Sequence, residues 1–161
     1  MIQEVSGDIL LSGADALAHG IAANDPMDQG LALALHKNYP AMHKDFHHWC
    51  HVKHPKPGEA WLWSGADGAR VVNLITQEGG YGHGARPGKA TVSNVNHALR
   101  ALKKIISKEK LQSVAIPRLA TGVGGLSWDD VLPLIKNQLG DLDIAVYVYS
   151  DYVPGKQAKE G

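Results

Sequence analysis

The stretch Ser113–Asp130, SVAIPRLATGVGGLSWDD, constrains the fold more than any other part of the chain. An apolar β-rich run leads into Thr121-Gly122-Val123-Gly124-Gly125, and a helix signal follows at once. Ser127 with Asp130 approximates a capping box, in which a hydroxyl and a carboxylate satisfy the free N–H groups of a first helical turn. Three glycines in four residues exceed what a tight connection needs. Glycine lets the backbone approach a ligand closely and turn several N–H groups toward it. Together with the positive end of the next helix, those donors suit an anion such as a diphosphate. In an open α/β sheet, ligands bind at the carboxyl ends of strands, where this loop falls. A plain connecting turn is the alternative.

The remaining pattern alternates strands with helices. Met1–Val5 reads as a first strand, stopped by Ser6-Gly7-Asp8, and Ala14–Ala23 as a buried strand running into a loop. Gly30–Tyr39 is helical and ends at Pro40, because proline cannot extend the hydrogen-bond ladder. A second, histidine-rich helix covers about Met42–Val52. Glu59–Trp63 and Arg70–Thr76 are strands around a turn at 64–68. A loop, Gln77–Lys89, follows with five glycines and one proline. Thr91–Ile106 is the clearest helix: Val92, Val95, Leu99, Leu102 and Ile106 step by three and four, placing them on one face. Gln112–Ile116 is a strand, Ser127–Leu139 a helix and Ile144–Tyr149 a last strand. Strands apolar throughout call for a sheet covered on both faces. Residues 1–153 make one domain, and 154–161 read as a flexible tail.

Composition narrows the function. With 161 residues, 44% of them apolar, the chain can bury a core without staples. Lys+Arg and Asp+Glu both number 16. A protein that grips phosphate backbones carries a basic excess, so duplex nucleic acid is disfavoured as the main partner. Cys50 is the single cysteine, which precludes an internal disulfide and fits a reducing compartment. No signal-peptide pattern and no membrane-length apolar run occurs. The chain reads as cytoplasmic and monomeric, without membrane partners.

Two familiar phosphate motifs fail. Gly88-Lys89 suggests a P-loop, but His83 stands where its first glycine belongs and Ala90 where Ser or Thr belongs. No Gly-x-Gly-x-x-Gly joins a strand to a helix. Met27-Asp28-Gln29-Gly30-Leu31-Ala32 is a second loop-to-helix junction whose first-turn amides are free to donate. Two helix N-termini could therefore converge on one diphosphate. Asp8, directly after the first strand, can accept from an exocyclic amine such as that of adenine, or can be an ordinary turn aspartate. His47 and His51 lie one helical turn apart, but a zincin-type site needs a Glu after the first histidine, and His48 stands there. No metal or cofactor is expected. Cys50 carries no mark of an activated nucleophile.

In this order, these pieces resemble the macrodomain family. Gly7-Asp8-Ile9-Leu10 is similar to its Gly-Asp-[Ile/Leu] after strand one. Ala16–Ile21 (ALAHGI) resembles the strand entering the ribose loop, and Met27–Leu33 resembles the Met-Gly-x-Gly-[Ile/Leu]-Ala helix start. Asn73-Leu74-Ile75-Thr76 is similar to the central strand, and Pro117–Trp128 to the phosphate loop. The resemblance spans about residues 1–152. It implies a three-layer α/β/α fold with a mixed central sheet, binding ADP-ribose or a derivative, with an ADP-ribosylated macromolecule as a further partner. The ligand-binding residues it implies are Asp8, Ile9, Asn24, Met27, Gln29, Gly30, Leu31, Ala32, Thr76, Gln77, Thr121, Gly122, Val123, Gly124, Gly125, Leu126, Tyr149 and Tyr152.

Two branches are similar: terminal ADP-ribose protein glycohydrolase, which also deacylates O-acetyl-ADP-ribose, and the yeast-type ADP-ribose 1″-phosphate phosphatase. The glycohydrolase branch uses a Lys just after its Leu-Ile-Thr strand and an Asp in its phosphate loop. Gln77 and Gly124 occupy those positions, and neither can form a lysyl adduct or act as acid or base. What remains is phosphatase-like. His19, His83 and Asp28 are the catalytic candidates, because a histidine titrates near neutrality and a carboxylate can orient it or a water. Arg86 and Lys89 stand near His83. His19 fits a core position equally well, and His83 a surface loop. The expected activity is hydrolysis of a phosphate or acyl ester on the distal ribose. A non-catalytic ADP-ribose reader and a glycohydrolase are the alternatives.

Overall fold

The computed structural model describes residues 1–81 and 86–161. Among these residues six strands form one sheet: β1 (Ile2–Gly7), β2 (Ala16–Ala22), β3 (Ala60–Ser64), β4 (Arg70–Gln77), β5 (Ser113–Ile116) and β6 (Ala145–Tyr152). Four helices cover it: α1 (Gly30–Asn38), α2 (Pro40–Lys53), α3 (Val92–Glu109) and α4 (Trp128–Leu139). The strand order is β1-β6-β5-β2-β4-β3, with every neighbouring pair parallel except β3 with β4. The sheet is therefore mixed, and helices lie on both faces.

Each face has its own core. On one, Val95, Leu99, Leu102 and Ile106 of α3 and Val131, Ile135 and Leu139 of α4 pack on Val72, Leu74, Val114 and Val146. Burying each such side chain contributes about 2 kcal/mol. Val92 begins the expected α3 stripe but is exposed, because it sits in the first turn, at the edge of the sheet's cover. Thr91 caps that helix, its side chain accepting the N–H of Asn94 at 3.0 Å. On the other face, Leu35 of α1 and Met42, Phe46 and Cys50 of α2 pack on Ile21, Val71 and Ile75.

Pro40 ends nothing by itself. Helix α1 stops at Asn38, and Pro40 is the first residue of α2, where its missing N–H costs nothing. The expected flexible tail also packs: Gly155 and Lys156 hydrogen-bond Asp8, and Ala158 lies against Gly7. Glu160 accepts from Ser12 Oγ, Gly13 N–H and the Tyr149 hydroxyl. Apart from Tyr149, these partners lie far away in sequence, which is why local polarity suggested fraying. No helix among the described residues is long and apolar enough to cross a membrane.

Candidate functional site

Strands β5 and β2 are neighbours, yet the helix after β2 lies on one face and the helix after β5 on the other. Their pairing covers only Ala16↔Val114 and Leu17↔Ala115. Beyond those two pairs the strands part, and a crevice opens at their carboxyl ends, as expected where the direction of winding reverses. A cleft of about 630 Å³ occupies it, lined by the end of β2, by Asp25, by Gln29–Ala32, by Gln77 and by 117–120 and 122–124. A second chamber of about 470 Å³ is lined by Ile9, Gly30, Leu31, Ala34, Pro117, Arg118, Tyr149 and Tyr152. Gly30, Leu31, Pro117 and Arg118 border both, so the two form one groove.

The two glycine-bearing junctions meet across this cleft. Helix α1 begins without a side-chain cap, so its first-turn amides hold no capping side chain among the described residues. Gly30 has φ +61 and open space where a Cβ would stand, which leaves the backbone bare toward the groove. Opposite, Gly125 N–H closes on Gly122 O at 3.1 Å and Leu126 N–H on Ala120 O at 3.0 Å. The N–H groups of 121–124 take no acceptor among the described residues. Ser127 caps α4 behind the loop, accepting the N–H of Asp129 rather than that of Asp130. Arg118 adds a fixed positive charge: its Nε donates to Ser150 O at 2.6 Å, and its guanidinium lies 5.4 Å from the Trp128 ring centroid. Sequence reading placed Arg118 only within a motif; its position two residues past β5 was the available signal.

Backbone strain gathers here too. Among the described residues five non-glycine residues have left-handed φ, and of these His54 and Lys110 are helix C-caps. The other three, Asn24, Met27 and Ala120, sit in the loops that border the cleft. Such strain persists only where the surroundings impose it, and it concentrates at ligand sites. Asn24 Oδ1 and Thr76 Oγ1 are buried and have no hydrogen-bond partner among the described residues, although Asn24 Nδ2 donates to Gly80 O.

Of the ligand residues expected from sequence, Gln29, Gly30, Leu31, Ala32, Gln77, Gly122, Val123 and Gly124 line the cleft, and Ile9, Tyr149 and Tyr152 line the chamber. Met27 is fully buried and supports the loop from below. Thr121, Gly125 and Leu126 build the phosphate loop without lining the cleft. Asp8 lines neither space: Oδ1 accepts the N–H of Leu10 and Oδ2 that of Gly155, both at 3.0 Å. Both oxygens already hold protein donors, so an exocyclic amine must share one with Gly155.

The catalytic candidates separate. His19 is 2% exposed, and its Nε2 lies 2.7 Å from Asn73 Oδ1 inside the core. Burial drives its pKa down to about 4, and the bond to Asn73 only partly opposes this. The residue borders the cleft, but its ring is a neutral, buried group engaged with Asn73. Asp28 is exposed, two residues before α1, and is not among the cleft-lining residues. His83 lies outside the described residues.

The Gln77 side chain donates to Gly88 O at 2.7 Å, tying the end of β4 to the loop beyond it. A Cβ on Gly124 would stand 2.6 Å from Ala120 O, so no side chain fits there without moving the loop. Histidines of α1 and α2 stack: His36 of α1 on His43 of α2 at 3.8 Å between ring centroids, and His43 near His47 at 4.3 Å. Among the described residues no group of three His, Cys, Asp or Glu is arranged to hold a metal ion.

One acidic residue went unnoticed in the sequence. Asp25 lines the cleft, its Oδ1 accepting the N–H of Met27 at 2.8 Å. Burial pushes its carboxyl pKa up, with Asp28 adding to the rise and the amides of Met27 and Ala22 and the nearby His47 opposing it. No local pattern marks an Asn-Asp-Pro turn as part of a site.

Comparison with known proteins agrees with this geometry. The macro domain family model matches residues 19–135, well over half of the chain. A DNA ADP-ribosyl glycohydrolase of Mycobacterium tuberculosis is 30% identical over 167 residues, covering 100% of this chain and 45% of that protein. The chain thus spans about half the length of that relative. The ADP-ribose glycohydrolase OARD1 of Homo sapiens is 27% identical over 150 residues, covering 92% of this chain and 91% of that protein. The solved macrodomain of Mycobacterium tuberculosis DarG superposes with a TM-score of 0.81 at 26% identity, covering 96% of this chain and 99% of the other. With a crevice at the winding switch, two amide-rich junctions facing across it and a family match over its centre, this chain belongs to the macro domain family.

Proposed function

We propose that the protein binds ADP-ribose and hydrolyses an ester on its distal ribose, the phosphate of ADP-ribose 1″-phosphate or the acyl group of O-acetyl-ADP-ribose. The observation that carries this reading is the chemistry of the groove from end to end. Its apolar, tyrosine-walled chamber suits a base, and its uncapped amides beside Arg118 suit a diphosphate. The distal ribose then falls toward Asn24, Asp25 and Gln77.

Hydrolysis of an ester is preferred over glycoside cleavage because of positions 77 and 124. Gln77 has no nucleophilic amine, and the Gly124 backbone leaves no room for an aspartate. The names of the relatives favour the glycohydrolase reading. The sealed position of His19 favours a reader without turnover. Of the three catalytic residues first expected, Asp28 and His83 remain candidates for orienting or carrying protons, while His19 is better assigned to positioning β2 against β4. A single buried, free cysteine is in keeping with a cytoplasmic protein.

Turnover of ADP-ribose 1″-phosphate, O-acetyl-ADP-ribose and ADP-ribosylated protein, measured side by side, tests the reading. Release of phosphate or of the acyl acid, with no adduct trapped by borohydride, is the expected result. A trapped lysyl adduct overturns it in favour of a glycohydrolase. ADP-ribose binding without turnover of any substrate leaves the reader.

A further inference from the structure

We propose that Asp25 is the general base of this cleft, taking the proton of the water that attacks the distal-ribose ester; this rests on the hydrolase reading above. Three described cleft-lining side chains are ionisable: His19, Asp25 and Arg118. His19 is occupied by Asn73 in the core. Arg118 stays protonated and is turned onto Ser150 O and the Trp128 ring. Asp25 alone of the three combines a place on the cleft wall with an accessible proton-accepting atom.

Its geometry is fixed from two sides. The N–H of Met27 holds Oδ1, which sets the rotamer, the Ala22 amide also bears on the carboxylate, and no side chain among the described residues donates to it. Behind the loop, the ring Nε2 of His47 lies 2.7 Å from the main-chain carbonyl of Asp25 and donates to it. Met27, left-handed and fully buried, anchors the other side of Pro26. The ionisable groups facing the carboxylate are Asp28 on the same loop and His47 from α2, while β4 presents the neutral Gln77.

In the step proposed, water oxygen bonds to the phosphorus or acyl carbon as its proton passes to Asp25. The bond from that atom to the ribose oxygen breaks, and the ribose oxygen takes the proton back from Asp25. One water and one ester give one acid and ADP-ribose, and Asp25 ends as the carboxylate it began as. No metal or redox partner enters. The Asp28 charge and the burial that raise the Asp25 pKa also bring its basicity closer to neutrality.

Asp25 is a burden on the fold, which separates the two kinds of role. A carboxyl whose folded pKa is raised favours folding when protonated, and that contribution is lost as pH rises through the folded pKa. At neutral pH the charge therefore opposes folding, and Asp25→Asn, which keeps an acceptor for Met27 N–H, should melt at the same temperature or higher.

The test compares wild type, Asp25→Asn and Asp25→Glu for kcat, KM, ADP-ribose affinity by calorimetry and the pH–rate profile. Asp25→Asn should lower kcat by about 10²–10⁴-fold. Its ADP-ribose Kd should stay within about threefold of wild type, as for a residue acting in the transition state. The wild-type acidic limb of kcat should vanish from whatever residual rate remains, and Asp25→Glu should restore part of the rate. A wild-type rate in Asp25→Asn overturns the assignment and leaves the hydrolase standing. A parallel loss of rate and affinity overturns it as well, making Asp25 a loop-shaping residue. Wild type that binds ADP-ribose but hydrolyses neither ester brings down the hydrolase reading and this inference together.

Discussion

The two ends of the groove are built on opposite plans. At the base end, Ile9, Tyr149 and Tyr152 wall an apolar chamber, and several polar groups beside it are held by the protein itself. The terminal segment does much of this: Gly155 N–H sits on Asp8, and Glu160 holds Ser12, Gly13 and the Tyr149 hydroxyl. At the distal end, α1 starts without a side-chain cap, and Asn24, Met27 and Ala120 are left-handed. Asn24 Oδ1 and Thr76 Oγ1 are buried there without partners among the described residues. A buried polar group without a partner costs about 1–3 kcal/mol. The fold thus tolerates at one end what it avoids at the other. On the proposed reading, the base end would recognise by shape and stacking, whereas the distal end would offer its hydrogen-bonding capacity to the ligand.

That contrast can be broken most severely at the phosphate loop. Gly122 has open space where a Cβ would stand, so Gly122→Val should fold normally and obstruct only the ligand. Losing two charge-assisted bonds to a diphosphate amounts to about 3 kcal/mol, roughly a hundredfold in Kd by calorimetry. Full affinity in a folded Gly122→Val would place the diphosphate elsewhere. Gly124→Val is a poorer probe, since its Cβ would meet Ala120 O and distort the loop itself.

Next in size is the pH dependence tied to His19. Its pKa falls from 6.5 to about 4 on folding, so the unfolded chain binds the extra proton between those values. The stability it contributes is whole above pH 6.5 and is lost as pH falls toward 4. The loss is on the order of 3 kcal/mol. Urea midpoints that stay flat across this window would show that the ring is not sealed as described, and would return it to the list of proton carriers.

At the base end the expected losses are smaller. Tyr152 is 56% exposed, so Tyr152→Ala should leave folding intact and remove a stacking wall. A base stacked on an aromatic ring contributes about 1–3 kcal/mol, which a titration with ADP-ribose resolves. Unchanged affinity would move the base out of this chamber. The smallest effect concerns Asp8. Because both its oxygens already hold protein N–H groups, ADP-ribose should bind better than inosine diphosphate ribose by only about 1 kcal/mol. A hundredfold preference would mean that the ligand's amine displaces Gly155.

The sequence by itself determined the elements and the chemistry of the loops. Period and apolar stepping located α3, and the glycines of 121–125 before Ser127 marked an amide-rich loop at the end of β5. The family pattern identified Gln77 and Gly124 as the positions where a lysine and an aspartate are missing. These signals are local, because caps, periods and glycine spacing act within one or two turns of chain. Only the tertiary structure decided which side chains share the groove. His19 and Ile21 lie two apart on β2, which places their side chains on one face of the sheet, yet whether that face is core or crevice depends on where β2 parts from β5. Asp25 is an ordinary turn residue until β4 and the phosphate loop are brought around it. The last residues read as loose because their partners, Asp8, Ser12 and Tyr149, include two groups well over a hundred positions away in the chain. Contacts of that range follow from strand order, and strand order is set by packing of the whole sheet rather than by any one segment.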